Sequence, residues 1–307
     1  MTATTSSQPR LLLVGGGGGL VGRAVLPAFL PHFLIRSVHR HPASNEGPAV
    51  EWVQADVKAV EDWAPLLDGV QVVLNLAWYR WESEATFRAL HEGLRRLVDA
   101  AVRANIRRFL QVSVPPAPAT METNLPYLVY KRRVDAALAS SGLSYRIVRP
   151  TMLFGPGDVL LGVMFRTMRR YPFFPMFGDG SYHVSPIAVS DLARVLLGEA
   201  QGPERGTVDI GGPERMTYRE LTDRMYHALG KRPRYWRLSA PGARRLTRLM
   251  VGLGSTTLYP YEVEWLMSDM LGLPAYEGLD VSLQRVGPYL EELAARGSPH
   301  RAVAAST

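Results

Sequence analysis

The sequence has no cysteine among its 307 residues. This excludes disulfides, a cysteine nucleophile and thiolate metal sites, and leaves the redox compartment open. Apolar runs are short: none approaches the roughly 20 residues a transmembrane helix needs. The opening MTATTSSQPR has no apolar core of the secretory kind, so a cytoplasmic protein is expected. Acid is the minority charge, 28 Asp and Glu against 35 Lys and Arg, a formal net charge of +7. Such a balance suits anionic ligands, including nucleotide phosphates, or an anionic membrane face. Basic and aromatic residues are not interleaved for stacking and no nucleic-acid motif is present, so nucleic acid is not an expected partner. No internal repeat is visible.

What is present is enough for a large core. Apolar residues make up 47% of the chain, which implies a globular fold of one large or two associated domains. The most telling stretch is LLLVGGGGGLVGRAVLPAFL, residues 11–30. Leu11 to Val14 read as a strand buried on both faces. From Leu20 onward Val21, Ala24, Val25, Ala28 and Phe29 recur at helical spacing. A strand that enters a helix through glycines leaves backbone N–H groups free to hold phosphate oxygens. Gly16, Gly19 and Gly22 give G-x-x-G-x-x-G. Gly16, Gly17 and Gly19 would make the turn, and Gly22 would let the helix close on the strand. A flexible glycine linker is the competing reading, which the flanking patterns disfavour.

Strand and helix patterns then alternate. Strands are expected at 33–38, 51–54, 70–77, 108–113 and 144–149, with helices at 60–68, 85–104 and 127–141, the last stopped by Gly142. The alternation predicts an α/β fold with a doubly wound parallel sheet of the Rossmann type, spanning 10–150. Ligands bind such sheets at the carboxyl ends of the strands, where the glycines, Asp56, Asn75 to Ala77 and Ser113 all fall. Past residue 150 the sequence turns to Gly, Pro and aromatics, with helices at 191–200 and 217–229 and a strand near 208–210. Residues 151–296 are expected to form mainly a smaller substrate-binding region, with elements returning to the core; 1–9 and 297–307 read as loose tails.

Several motifs keep two readings. Trp78, Tyr79 and Trp81 could roof a cofactor or an apolar substrate, or pack against the next helix. Phe154, Phe173, Phe174, Met176 and Phe177 could enlarge an apolar pocket or belong to the core. His183 is a secondary proton-transfer candidate or a hydrogen-bonded loop histidine. Residues 231–250 carry seven basic side chains and no acid. They read first as a solvated helix face that turns its leucines inward, and second as a peripheral contact with an anionic membrane through 231–251.

Taken in order, VGGGGGLVG, ADV at 55–57, LNLA at 74–77, QVS at 111–113, YLVYK at 127–131, IVRPTMLFGPGD at 147–158 and FGDGSYHVSPIAVSDLA at 177–193 resemble the short-chain dehydrogenase/reductase superfamily in its extended or atypical branch. LYPYEVEWLMSDM at 258–270 looks most like the branch that holds the nucleotide-binding accessory subunit of respiratory complex I; NmrA-like regulators belong to the same atypical group. The resemblance implies that Tyr127 and Lys131 form the catalytic Y-x-x-x-K. Spacing of four residues puts both on one helix face, and a nearby ammonium favours a phenolate over a phenol that otherwise ionises near pH ~10. An ordinary surface Tyr–Lys pair is the alternative, and Tyr130 is the neighbouring competitor. By the same resemblance the cofactor is bound by Gly16, Gly17, Gly19, Leu20, Gly22, Asp56, Val57, Leu76, Ala77, Val112, Lys131 and Pro150.

The pattern departs from the family in two places. The Ser or Thr that usually follows the strand-end serine is Val114, which leaves Ser113 as the candidate hydroxyl. The arginine that usually holds a sugar nucleotide's phosphate is Val184, which disfavours sugar-nucleotide substrates. Cofactor choice is read after the second strand. No acid occurs between His32 and Asn45, and Arg40 stands about where a 2′-phosphate would lie, so NADP(H) is expected, with NAD(H) as the alternative. His39-x-His41 lacks a third ligand, and no metal is expected. The expected activity is NADP(H)-dependent redox chemistry on a carbonyl or secondary alcohol of a fairly apolar small molecule. A non-catalytic NAD(P)-binding module and an epimerase or dehydratase are the alternatives.

Overall fold

The structure is a computed structural model that describes residues 8–16, 18–40, 49–80, 82–254, 258–278 and 282–296. The chain divides into two compact units. One consists of residues up to Val114, Ala119–Arg149 and Val189–Val208; the other of Pro115–Pro118, Pro150–Ala188 and the chain from Asp209 onward.

The first unit holds β1 (Arg10–Val14), α1 (Leu20–Phe29), β2 (Leu34–His39), β3 (Val50–Gln54), α2 (Ala64–Leu67), β4 (Val70–Asn75), α3 (Glu84–Arg103), β5 (Arg108–Val112), α4 (Ala119–Asn124), α5 (Pro126–Ala139) and β6 (Tyr145–Pro150). After β7 (Leu153–Phe154), α6 (Leu160–Arg170), β8 (Phe174–Phe177), β9 (His183–Val184) and β10 (Ile187–Ala188) the chain returns to this unit with α7 (Val189–Gln201) and β11 (Gly206–Ile210). The rest of the second unit is β12 (Met216–Thr217), α8 (Tyr218–Ala228), β13 (Tyr235–Leu238), α9 (Ala240–Gly252), α10 (Pro260–Leu266) and α11 (Val286–Ala295).

The main sheet has seven strands in the order β11-β6-β5-β4-β1-β2-β3. The pairings from β6 across to β3 are all parallel. Order reverses between β1 and β4, and a doubly wound sheet opens a crevice at such a switch point. The near-continuous apolar runs follow from this topology, since central parallel strands are covered on both faces. Leu11 to Val14 and Val72 to Leu74 are fully buried. On one face they pack with Leu90, Leu94, Leu97 and Val98 of α3 and with Val134 and Leu138 of α5. α5 ends at Ala139, three residues short of Gly142, whose φ of +80° ends the turn that follows.

The second unit has its own core, built from α6, α8, β8, β9, β12 and α11. It contains Phe154, Phe174, Met176 and Phe177, so four of the five residues considered for an apolar pocket are packing residues; Phe173 points to solvent. Short ribbons pair β10 with β7, β12 with β9 and β13 with β8. A capping box in which Thr217 and Glu220 bond reciprocally opens α8. Among the described residues no helix is long and apolar enough to cross a membrane, and no cluster of three or more His, Asp or Glu could hold a metal.

Candidate cofactor and active site

Strand register assembles the site. Val14 pairs with both Val38 and Asn75, and Asn75 with Gln111. The residues that follow this row, Gly15, His39, Leu76 and Val112, therefore line up along one carboxyl edge of the sheet. Asn75 and Gln111 are fully buried and satisfy each other through Asn75 Nδ2 donating to Gln111 Oε1 at 2.7 Å, while Asn75 Oδ1 accepts the Ala77 N–H at 3.0 Å. That last bond turns the chain after β4 and sets Leu76 and Ala77 against the glycines.

The glycine turn is crowded inside and open outside. Gly15 has φ of +78°, and a Cβ there would lie 2.4 Å from that of Ala77. A Cβ on Gly16 would lie 2.5 Å from Leu76 Cδ1, and one on Gly22 only 1.3 Å from the Gly16 carbonyl oxygen. By contrast a Cβ on Gly18 would meet nothing within 4 Å. Gly19 is the N-cap of α1, with no side-chain cap and no acid in the first turn beyond Leu20. Gly17 lies outside the described residues. Arg23 folds back so that its Nε donates to the Gly18 carbonyl at 2.9 Å, placing a cation beside the turn. An uncapped helix start, an open glycine tip and an adjacent guanidinium fit a dinucleotide's diphosphate.

Farther along the edge, Asp56 closes its own turn by accepting the Lys58 N–H at 3.0 Å, and its carboxylate lies 3.4 Å from Lys58 Nζ. Val57 is buried, and its carbonyl approaches α3 where Gly93 leaves room; a Cβ there would lie 2.1 Å from that oxygen. Arg40 is exposed, and its Nη1 donates to the Tyr79 hydroxyl at 3.2 Å with the guanidinium 5.0 Å from the ring centre. Lys58 Nζ approaches the same ring at 5.6 Å. Tyr79 thus holds Arg40 and Lys58 near Asp56, the end of the site where adenosine is expected. His41 and Trp81 lie outside the described residues.

On α5, Tyr127 and Lys131 lie one turn apart, with Trp78 against both. The Lys131 Nζ lies 4.6 Å from the Trp78 ring centre. Tyr127 meets Trp78 edge to face at 6.2 Å and Phe87 of α3 at 6.0 Å. Lys131 is 2% exposed, and burial lowers its pKa from 10.5 to about 8, with Asp135 acting in the opposite direction. The buried Trp78 Nε1–H has no hydrogen-bond partner among the described residues, a donor available to a bound group beside Lys131. Tyr130 turns instead to α3, where its hydroxyl donates to Glu84 and accepts from Arg88, both at 3.2 Å.

Ser113 is buried at the end of β5, and its Oγ donates to Asp135 Oδ2 at 2.5 Å. Arg132 Nη1 donates to the Val114 carbonyl at 2.9 Å, and Arg132 also pairs with Glu122. The hydroxyl therefore ties β5 to α5. Val112 ends β5 half-buried, and Pro150 is the buried last residue of β6. In the second unit His183 is hydrogen-bonded by both its backbone N–H and Nδ1 to Asp269 Oδ1. Val184 is fully buried in the core of that unit and pairs with Met216. Arg23, Lys58 and Asp135 were not among the residues singled out in the sequence. For Arg23 the available signal was a cation directly after the last glycine of the motif.

The NAD(P)H-binding family profile matches residues 16–167, the span that carries the glycine turn, Asp56, Tyr127 and Lys131. A Bacillus subtilis (strain 168) protein named "Uncharacterized sugar epimerase YhfK" is 30% identical over 152 residues, 46% of this chain and 71% of that one. The chain belongs to the NAD(P)-binding short-chain dehydrogenase/reductase superfamily. Within that superfamily it is 29% identical over 251 residues to a ceramide reductase of Caulobacter vibrioides (strain NA1000 / CB15N), covering 79% of this chain and 78% of that protein. It is 28% identical over 181 residues to mitochondrial subunit 9 of the NADH dehydrogenase 1 alpha subcomplex of Arabidopsis thaliana, 57% of this chain and 44% of the subunit. The UDP-N-acetylglucosamine 4-epimerase of Methanobrevibacter ruminantium M1 shares the fold at a TM-score of 0.67 and 16% identity, over 94% of this chain and 98% of that one.

Proposed function

We propose that this superfamily member is an NADP(H)-dependent reductase acting on a carbonyl, or in reverse a secondary alcohol, of an apolar, lipid-like molecule. The observation that carries the reading is the buried Lys131 ammonium set against Trp78 one helical turn from Tyr127. A nicotinamide cofactor, when bound, supplies or accepts the hydride. Tyr127 then gives a proton to the substrate oxygen, or takes one in the reverse direction. Lys131 favours the phenolate form of Tyr127 and donates to the cofactor ribose. Gly16, Gly19, Gly22, Arg23 and the start of α1 hold the diphosphate, Leu76, Ala77 and Val112 line it, and Asp56 and Val57 receive the adenine. Arg40, held by Tyr79, selects the 2′-phosphate. Ser113 serves as a positioning residue through Asp135, and does not touch substrate.

Similarity to a ceramide reductase supports a long-chain substrate, and the burial of Val184 speaks against a sugar nucleotide. The test is NADPH consumption with a long-chain ketone of the oxidised-ceramide class. Tyr127→Phe is expected to lose at least about 10²-fold in turnover with unchanged NADPH affinity, the usual scale of acid–base catalysis. Arg40→Ala is expected to lose affinity for NADPH and keep that for NADH. Undiminished turnover in Tyr127→Phe overturns the assignment.

A second reading, a non-catalytic nucleotide-binding module, is favoured by Val114 at the position where the family places a hydroxyl, and by similarity to the complex I subunit. Tight NADPH binding without turnover of any carbonyl, together with copurification on a large partner, would support it.

A further inference from the structure

α9 does not bury its apolar face as a solvated helix would. Ala243 and Thr247 are the residues it buries, Leu246 packs on the core beside them, and Thr247 Oγ bonds back to the Ala243 carbonyl at 2.9 Å. Leu249 is 61% exposed, Leu253 just beyond the helix is 79% exposed, and Met250 is also open to solvent. Arg245, Leu249 and Leu253 follow at four-residue spacing as one stripe, with Arg244 and Arg248 in the row beside it. The helix thus presents three sectors: an inner face, an exposed apolar edge and a cationic edge.

The charge around it is one-sided. From Arg224 to Tyr261 there are eight Lys and Arg and no acid. Arg244 has Glu264 at 3.5 Å, whereas Arg232, Arg234, Arg245 and Arg248 have no ion pair among the described residues. The preceding strand adds aromatic surface. Trp236 of β13 is 57% exposed, pairs with Pro175 of β8, and therefore shares a face with solvent-facing Phe173 and Arg234.

We infer that α9 and the β13 ribbon before it form a docking surface for an anionic lipid bilayer. An apolar edge flanked by unpaired arginines, with a tryptophan close by, is the pattern of a helix lying in the headgroup region. The charge decides between occupants. A second copy would bring the same unneutralised arginines to the contact and be repelled, whereas a phosphate-bearing surface neutralises them. The inference goes beyond the reductase reading and does not depend on it.

The experiment is co-sedimentation of the full chain with vesicles of phosphatidylcholine alone, or with about a third phosphatidylglycerol. Binding is expected on the anionic vesicles, weakening as salt rises. Arg245→Gln with Arg248→Gln should cut the partition coefficient by roughly 10- to 30-fold, about five-fold per cation. Leu249→Ser with Leu253→Ser should also cut it by about 10-fold or more. All four positions are exposed, so thermal unfolding and NADPH binding should match the parent. Equal binding to both vesicle types, or unaltered binding by both variants, overturns the inference. So does self-association that Leu249→Ser/Leu253→Ser abolishes in a protein that ignores lipid. Vesicle binding without reductase activity leaves this surface standing and removes the reading under Proposed function.

Discussion

Lys131 shows how function and stability oppose each other at one residue. Its pKa falls from 10.5 in the unfolded chain to about 8 in the folded one, so the folded protein binds the proton less tightly. Below pH 8 the full cost of burying the ammonium is present, on the order of 3 kcal/mol, and contact with Trp78 offsets part of it. Between pH 8 and 10.5 the unfolded chain holds more protons, so this cost is relieved as pH rises. Lys131→Met is therefore expected to raise the unfolding free energy at pH 7 by about 1–3 kcal/mol, and to abolish turnover. Urea unfolding of both proteins at pH 7 and near pH 10 checks this: the gain should shrink at the higher pH. A variant less stable than the parent at pH 7 would contradict the account.

At the same scale, residue types were easier to read than directions. Tyr127, Lys131 and the glycines are visible in the sequence because spacing within one helix or turn determines their geometry. That Trp78 would reach both Tyr127 and Lys131 is not, since it follows another strand and stacks on Phe87 of α3. Nor is the turn of Ser113 toward Asp135, which depends on how α5 lies on β5.

Elements of the first unit followed the sequence closely because each carries its own periodicity. β1 carries the apolar run Leu11 to Val14 and β4 the run Val72 to Leu74, and α3 repeats its core residues from Phe87 to Ala101. The second unit was less legible. α6 falls between two Gly- and Pro-rich stretches, 151–158 and 171–193, where no element was expected, although Asp158 accepts the N–H groups of Leu160 and Leu161 at its start. The pairing of β8 with β13 joins segments about 60 residues apart, which no local pattern encodes. α7 was legible as a helix, but not in its role as a fastener. Its Glu199 is buried and forms ion pairs with Arg146, whose Nε lies at 3.0 Å, and with Arg108, whose Nη2 lies at 3.6 Å, while Arg108 Nε donates to the Glu199 carbonyl at 2.9 Å. Glu199→Ala would leave Arg108 buried without its counter-charge. A loss of about 3–5 kcal/mol is expected, read by calorimetry. A loss under about 1 kcal/mol would show that α7 is held by apolar packing alone.

For the molecule as a whole, the cofactor-binding unit is not a contiguous piece of chain. It is built from residues up to Val114, Ala119–Arg149 and Val189–Val208. A fragment ending at residue 150 lacks α7 and leaves Arg108 and Arg146 facing an absent carboxylate. It is expected to show no cooperative thermal transition and no NADPH binding; a folded, binding fragment would refute this view of α7.

The interrupted path also sets an order on synthesis. A ribosome will have translated the nucleotide-binding fingerprint and the Tyr–Lys helix long before the segment that locks their sheet exists. Some 60 further residues must emerge, most of them (Pro150–Ala188) belonging to the second unit, before the first unit can close. Until then α1 and β5, the elements α7 packs against, stay only partly covered, and transiently exposed apolar surface of this kind exposes a nascent chain to aggregation.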